Sequence, residues 1–139
     1  MIFTPVANTA QQPHHTLSIP RITLPEPLLG AVFISPWVGF DISKPSYQRN
    51  EFLDLIPPVA AQRWSAAYMG SAKPDYYNEP IRAPSSWWND VPVKEVLITG
   101  GDEEILVDDI REFAAKFGVC TLLPFTQRVF PSLSTPYGG

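Results

Sequence analysis

Apolar residues fall into three short runs and two helix-spaced stripes, and that pattern predicts an α/β order of elements. Residues 31–35, Ala-Val-Phe-Ile-Ser, form an apolar run stopped by Pro36, the pattern of a strand buried on both faces. Residues 93–98 form a second run and residues 119–123, Val-Cys-Thr-Leu-Leu, a third. Between the last two, Leu106, Ile110, Phe113, Ala114 and Phe117 recur at helical spacing up to Gly118. An earlier helix is predicted over 59–69, where Ala60, Trp64, Ala67 and Tyr68 share one face. Pro58 suits its first turn and Gly70 its end.

The intervening segments carry breakers. Residues 41–48 read as loop, and Asn50 is expected to cap a short helix through Phe52, Leu53 and Ile56, halted at Pro57. Residues 71–92 read as loop around Pro74, Pro80, Pro84 and Pro92, with one helical turn near 85–88. Strand, helices, strand, helix, strand is the order of an α/β protein with a parallel sheet of about three strands flanked by helices.

Composition narrows this to one domain. Hydrophobic residues make up 45% of the 139 positions and charged residues 17%, so a folded core is expected. The 16 prolines are unevenly placed. Five precede Gly30 alongside only Arg21 and Glu26, and three follow Gly118 alongside Arg128. The expected division is therefore a poorly ordered flank over 1–29, a body over 30–123 and a poorly ordered tail over 124–139.

Charge and hydropathy exclude several functions. A net charge of -4 without a basic cluster argues against nucleic-acid binding. No apolar stretch reaches the roughly 20 residues of a membrane span. The start, Met-Ile-Phe-Thr-Pro, has neither a basic region nor an apolar h-region, so no signal peptide is read and a cytoplasmic protein is expected. Cys120 is a lone cysteine in an apolar run, the setting of an inert buried thiol.

Candidate chemistry concentrates at residues 100–109, Gly-Gly-Asp-Glu-Glu-Ile-Leu-Val-Asp-Asp. A strand ending in a glycine turn and delivering a carboxylate just before a helix places an acid at the sheet's C-terminal edge. Such an acid can orient a histidine that activates a serine. The competing reading is a solvated, acidic helix start that complements the helix dipole. His14 and His15 are adjacent and lack spaced Cys, Asp or Glu partners, which makes a poor metal site. Ser71 lacks a Ser-x-x-Lys arrangement, Ser35 reads as structural, and the acidic patch lacks the spacing of a calcium loop. No metal or cofactor is expected. Trp37, Trp64, Trp87 and Trp88, with Tyr68, Tyr76 and Tyr77, are read as core and cap packing, with a pocket or interface as the alternative.

An ordered set of short motifs resembles one family. These are Ile34-Ser35-Pro36-Trp37, then Ser46-Tyr47-Gln48-Arg49-Asn50, Trp64, Tyr68-Met69-Gly70, Tyr77-Asn78-Glu79-Pro80, Trp87-Trp88, and Gly100 to Ile110. Together they resemble the C-terminal part of an α/β-hydrolase of the hormone-sensitive-lipase-like type, especially its fungal esterase branch. The resemblance covers roughly Gly30 to Phe117. It implies a carboxylic ester or lactone as substrate class. The family's acid lies in an Asp/Glu-x-Leu-x-Asp segment. Leu106 and Asp108 align on it and put Glu104 in the acid's place, with Asp102 the second candidate.

The rest of the family's triad has no match in these residues. No Gly-x-Ser-x-Gly elbow occurs, and Ser18, the one serine ahead of Ala31, has no glycine beside it. No histidine follows residue 15, although the family's histidine follows its acid. The expectation is a truncated or degenerate hydrolase, a pseudoenzyme without triad-type activity as this chain. Residues 31–35 would present an unpaired apolar edge prone to self-association. The alternative is a non-catalytic accessory or binding protein, with a fungal secondary-metabolite pathway as the setting the family implies.

Overall fold

The computed structural model describes residues 24–89 and 91–117, together with the backbone of 128–129. Strand β1 spans Ala31–Ile34, helix α1 Pro45–Arg49, helix α2 Pro58–Met69, strand β2 Val96–Thr99, helix α3 Val107–Lys116 and strand β3 Arg128–Val129. Short 3-10 turns at Pro80–Arg82 and Ser85–Trp88 lie between α2 and β2.

β1 and β2 pair in parallel, with Ala31 opposite Val96 and Ile34 opposite Thr99. This is the mixed α/β arrangement that the run pattern predicts. The parallel pairing starts before Gly30, at a bridge between Leu28 and Val93. β3 adds two residues antiparallel to β2, Val129 opposite Val96 and Arg128 opposite Leu97. Parallel pairing is thus found in the β1–β2 pair, and the strand expected over 119–123 lies outside the described residues, as do Cys120, Ser18, His14 and His15.

One face of the sheet is packed and the other is bare at β1. Phe33, Val96 and Ile98 point to a core with Ile105, Leu106, Ile110, Phe113 and Ala114 from the α3 side. The alternation of a strand then turns Val32 and Ile34 outward, where they are 61% and 71% exposed. A strand buried on both faces was the expectation, and on the described residues α3 covers only one of them. Phe33, Trp88, Phe113 and Phe117 form an aromatic group at the centre, with Phe113 edge-on to Phe33 and to Trp88, whose centroid is 5.2 Å from it, and Trp88 tilted against Phe117.

Two helix assignments shift. Residues 45–48, expected as part of a loop over 41–48, belong to helix α1, where Pro45 supplies a ready-made φ in the first turn. Asn50 is the C-cap of that helix rather than the start of the next, and residues 51–56 are turns. α2 starts and stops where the proline and glycine signals place it, and Gly70 takes φ 52, a left-handed value that glycine adopts without a Cβ clash. Its buried face is Ala61 and Ser65, however, and Trp64 and Tyr68 stay about half exposed.

Candidate functional site

The turn after β2 is where the candidate carboxylates Asp102 and Glu104 sit, and the surrounding elements hold it closely. Gly100 leaves the strand against α3, where a Cβ would meet Ile110 Cδ1 at 2.9 Å. A residue without a side chain lets the turn lie this near the helix. Gly101 then donates its backbone N–H to Glu104 Oε1 at 2.8 Å.

Four side chains from the α1 region fasten the turn from the other side. Asn50, 2% exposed, donates through Nδ2 to the carbonyls of Asp102 at 2.9 Å and Glu104 at 2.8 Å. Asp54 accepts the backbone N–H of Ile105 at 2.6 Å. Ser46 donates to the Ile105 carbonyl at 2.5 Å, and its own backbone N–H reaches Asp108 at 2.9 Å. Arg49 pairs with Asp108 at 3.0 Å. The segment Ser46-Tyr47-Gln48-Arg49-Asn50 is thus a clamp on residues 102–108, which buried backbone carbonyls need as hydrogen-bond partners.

Within the turn, the two candidate acids face different surroundings. Asp102 accepts from Arg111 at 2.7 Å, with both side chains more than 40% exposed. Glu104 accepts the hydroxyl proton of Ser35 at 2.7 Å through the same Oε1 that takes the Gly101 N–H. Among the described residues Oε2 of Glu104 accepts no hydrogen bond. Ser35 takes φ 44, a left-handed conformation that costs a non-glycine residue about 1 kcal/mol or more. That strain turns its side chain from the end of β1 towards the β2 turn. Ser35, read from the sequence as structural, is the direct neighbour of the candidate acid. The Ser-Pro dipeptide at a strand end was the available signal, but it does not reveal a contact 69 positions away.

Ser35 also lines a cavity of about 430 Å3 between the β1 exit, α2 and residues 77–80. The wall is aromatic: Trp37 stands edge-on to Phe40 at 5.7 Å and to Trp64 at 6.4 Å, and Phe40 to Tyr68 at 5.7 Å. The tryptophans therefore divide. Trp88 is core, and Trp37 and Trp64 line the cavity, the alternative reading from the sequence.

Behind that wall lies a buried polar group. Asp109 is 1% exposed, and neither carboxyl oxygen has a hydrogen-bond partner among the described residues. Lys44 Nζ stands 3.8 Å from it and hydrogen-bonds Glu112 instead, at 2.5 Å. Burial pushes the Asp109 carboxyl up to about 6, only partly offset by Lys44. Burial, reinforced by the nearby Asp109 charge, raises the Tyr47 hydroxyl to about 12. The hydrogen bond from Lys44 holds Glu112 below the usual carboxylate range. Among the described residues no His, Cys, Asp and Glu cluster of metal-binding form occurs. No helix among them is long and apolar enough to cross a membrane.

The chain is similar to one curated protein described as "Putative steryl acetyl hydrolase mug81" of Schizosaccharomyces pombe, 27% identical over 104 residues. The match takes in 68% of this chain and 27% of the relative. No protein-family model matches the chain, and no solved structure matches it. The similarity to a hydrolase supports hydrolase ancestry for the matched residues.

Proposed function

We propose that this chain is the acid-bearing, C-terminal portion of an α/β-hydrolase of the hormone-sensitive-lipase-like type. Residues 30–123 form that portion, between flanks over 1–29 and 124–139. Its ancestral substrates are carboxylic esters or lactones. Glu104 is the acid of its triad, and Asp102 is a surface ion-pair partner of Arg111. As this chain alone the protein is inactive, because a triad carboxylate only orients and stabilises an imidazole.

The observation that carries this reading is the way Glu104 is held. A strand, a glycine turn and the Asn50 clamp deliver one carboxylate to the end of the parallel pair. Ser35 and the Gly101 N–H fix one of its oxygens, and Oε2 accepts no hydrogen bond among the described residues. A solvated helix start needs no such clamp. Similarity to a hydrolase supports the same reading.

Sequencing the full-length transcript tests it. An in-frame Gly-x-Ser-x-Gly segment upstream and a histidine-bearing segment downstream are the expected result. A transcript that ends cleanly on both sides without either would favour the second reading, a non-catalytic binding protein. That reading draws on the aromatic cavity.

A further inference from the structure

We infer that the aromatic cavity beside Ser35 is a binding site for a flat, apolar alcohol. The inference stands on the cavity itself and not on the hydrolase reading.

Its size is right for a small molecule. Ligand sites run from about 300 to 1,000 Å3, are mostly apolar and carry a few placed polar groups. This one, at about 430 Å3, is walled by Pro36, Trp37, Val38, Phe40 and Pro80, with Trp64 and Tyr68 at its rim. The edge-to-face contacts of Trp37 with Phe40 and Trp64 fix the rings against each other. Little side-chain freedom is then lost when a flat body slides between them.

Donor and acceptor accounting selects the ligand's polar group. Ser65 spends its hydroxyl proton on the Gln62 carbonyl at 3.0 Å. Asn78 donates to the Lys73 carbonyl and accepts the Asp75 N–H, so both ends of its amide are engaged. The indole N–H of Trp37 is sealed from solvent without a hydrogen-bond partner among the described residues and lies close to the Tyr47 hydroxyl, so Trp37 offers the cavity its ring. Trp64 and Tyr68 are about half exposed, and water competes for their polar atoms at the rim.

That leaves Ser35. Its proton goes to Glu104 at 2.7 Å, so towards the cavity the hydroxyl presents lone pairs. A bond to a carboxylate also polarises the hydroxyl and makes its oxygen a better acceptor. The matching ligand group is a donor: the O–H of an alcohol or phenol. An ether or ester of the same alcohol places only acceptors there and leaves the Ser35 lone pairs without a partner.

Titration calorimetry with three naphthalene probes tests this: 2-naphthol, 2-methoxynaphthalene and 2-naphthyl acetate. The expected result is one-to-one binding of 2-naphthol, about tenfold tighter than the ether and the acetate, the value of one good hydrogen bond. In Ser35→Gly that preference should vanish with residual binding kept. Glycine accepts φ 44 without strain, so this variant removes the hydroxyl while favouring the fold. In Tyr68→Ala, a change on the exposed side of α2, all three probes should weaken together. Absence of 2-naphthol binding, equal binding of the three probes, or a preference that survives Ser35→Gly would each overturn the inference. Indifference of all three to Tyr68→Ala would overturn it as well.

Discussion

Ser35 donates its hydroxyl to Glu104 at 2.7 Å, joining the end of β1 to the turn after β2 across 69 positions of sequence. The two strands run parallel, so their C-terminal ends lie side by side. Side chains leaving both ends meet there, the place where open α/β sheets hold their chemistry.

Asn50 is the residue on which the turn depends most. Asn50→Ala is expected to destabilise the protein by about 2 kcal/mol, since two carbonyls lose their donor. Asn50→Asp should cost more, because it sets an acceptor against those carbonyls. Urea unfolding measures both. Faster hydrogen exchange at the Gly101 and Ile105 amides would show that the loss is centred on the turn.

Gly100 and Ile110 should be energetically coupled. Gly100→Ala drives a methyl to 2.9 Å from Ile110 Cδ1 and is expected to cost about 1–3 kcal/mol. Ile110→Val removes that carbon, so the double variant should lose less than the sum of the two singles. Additive losses in a double-mutant cycle would contradict the packing described.

Asp109 gives stability a pH dependence of definite sign. Its carboxyl lies at about 6 in the folded protein, above the ordinary 3.8, so the folded state holds the proton more tightly. The contribution is fully present below pH 4 and is lost as pH rises through 6, about 3 kcal/mol in all. Glu112 and Asp41, held low by Lys44 and Ser43, act in the opposite direction. The comparison is therefore between wild type and Asp109→Asn. The variant should match wild type near pH 4 and be the more stable of the two at pH 7.5, as read by thermal unfolding.

The bare face of β1 should promote association. Leu29, Val32 and Ile34 are 80%, 61% and 71% exposed, and β1 is at one end of the strand order. Exposed apolar edges of this kind pair with other chains. Sedimentation is expected to show a self-associating species that Val32→Lys with Ile34→Lys shifts towards monomer. No change in the double variant would count against this surface.

Local signals made some of this fold legible in the sequence and long-range ones did not. β1 and α2 were marked by proline and glycine punctuation, and α3 by the spacing of Leu106, Ile110, Phe113 and Phe117. α1 was missed because Asn50 suits either end of a helix, and only its bonds to carbonyls 102 and 104 settle which. In α2 the aromatic stripe suggested the wrong buried face. Small Ala61 and Ser65 pack inward and leave Trp64 and Tyr68 to the cavity rim. The place of Glu104, in a turn after a strand and two glycines, was legible. Its link to Ser35, and the buried Asp109, required the fold.

Hydrolysis of p-nitrophenyl acetate by the purified chain, beside Glu104→Ala, tests the central claim most directly. On the proposed reading, Glu104 has no histidine to orient, because His14 and His15 precede it, against the family's order, so the two proteins should release nitrophenolate at the same background rate. Turnover by wild type that disappears in Glu104→Ala would contradict the claim.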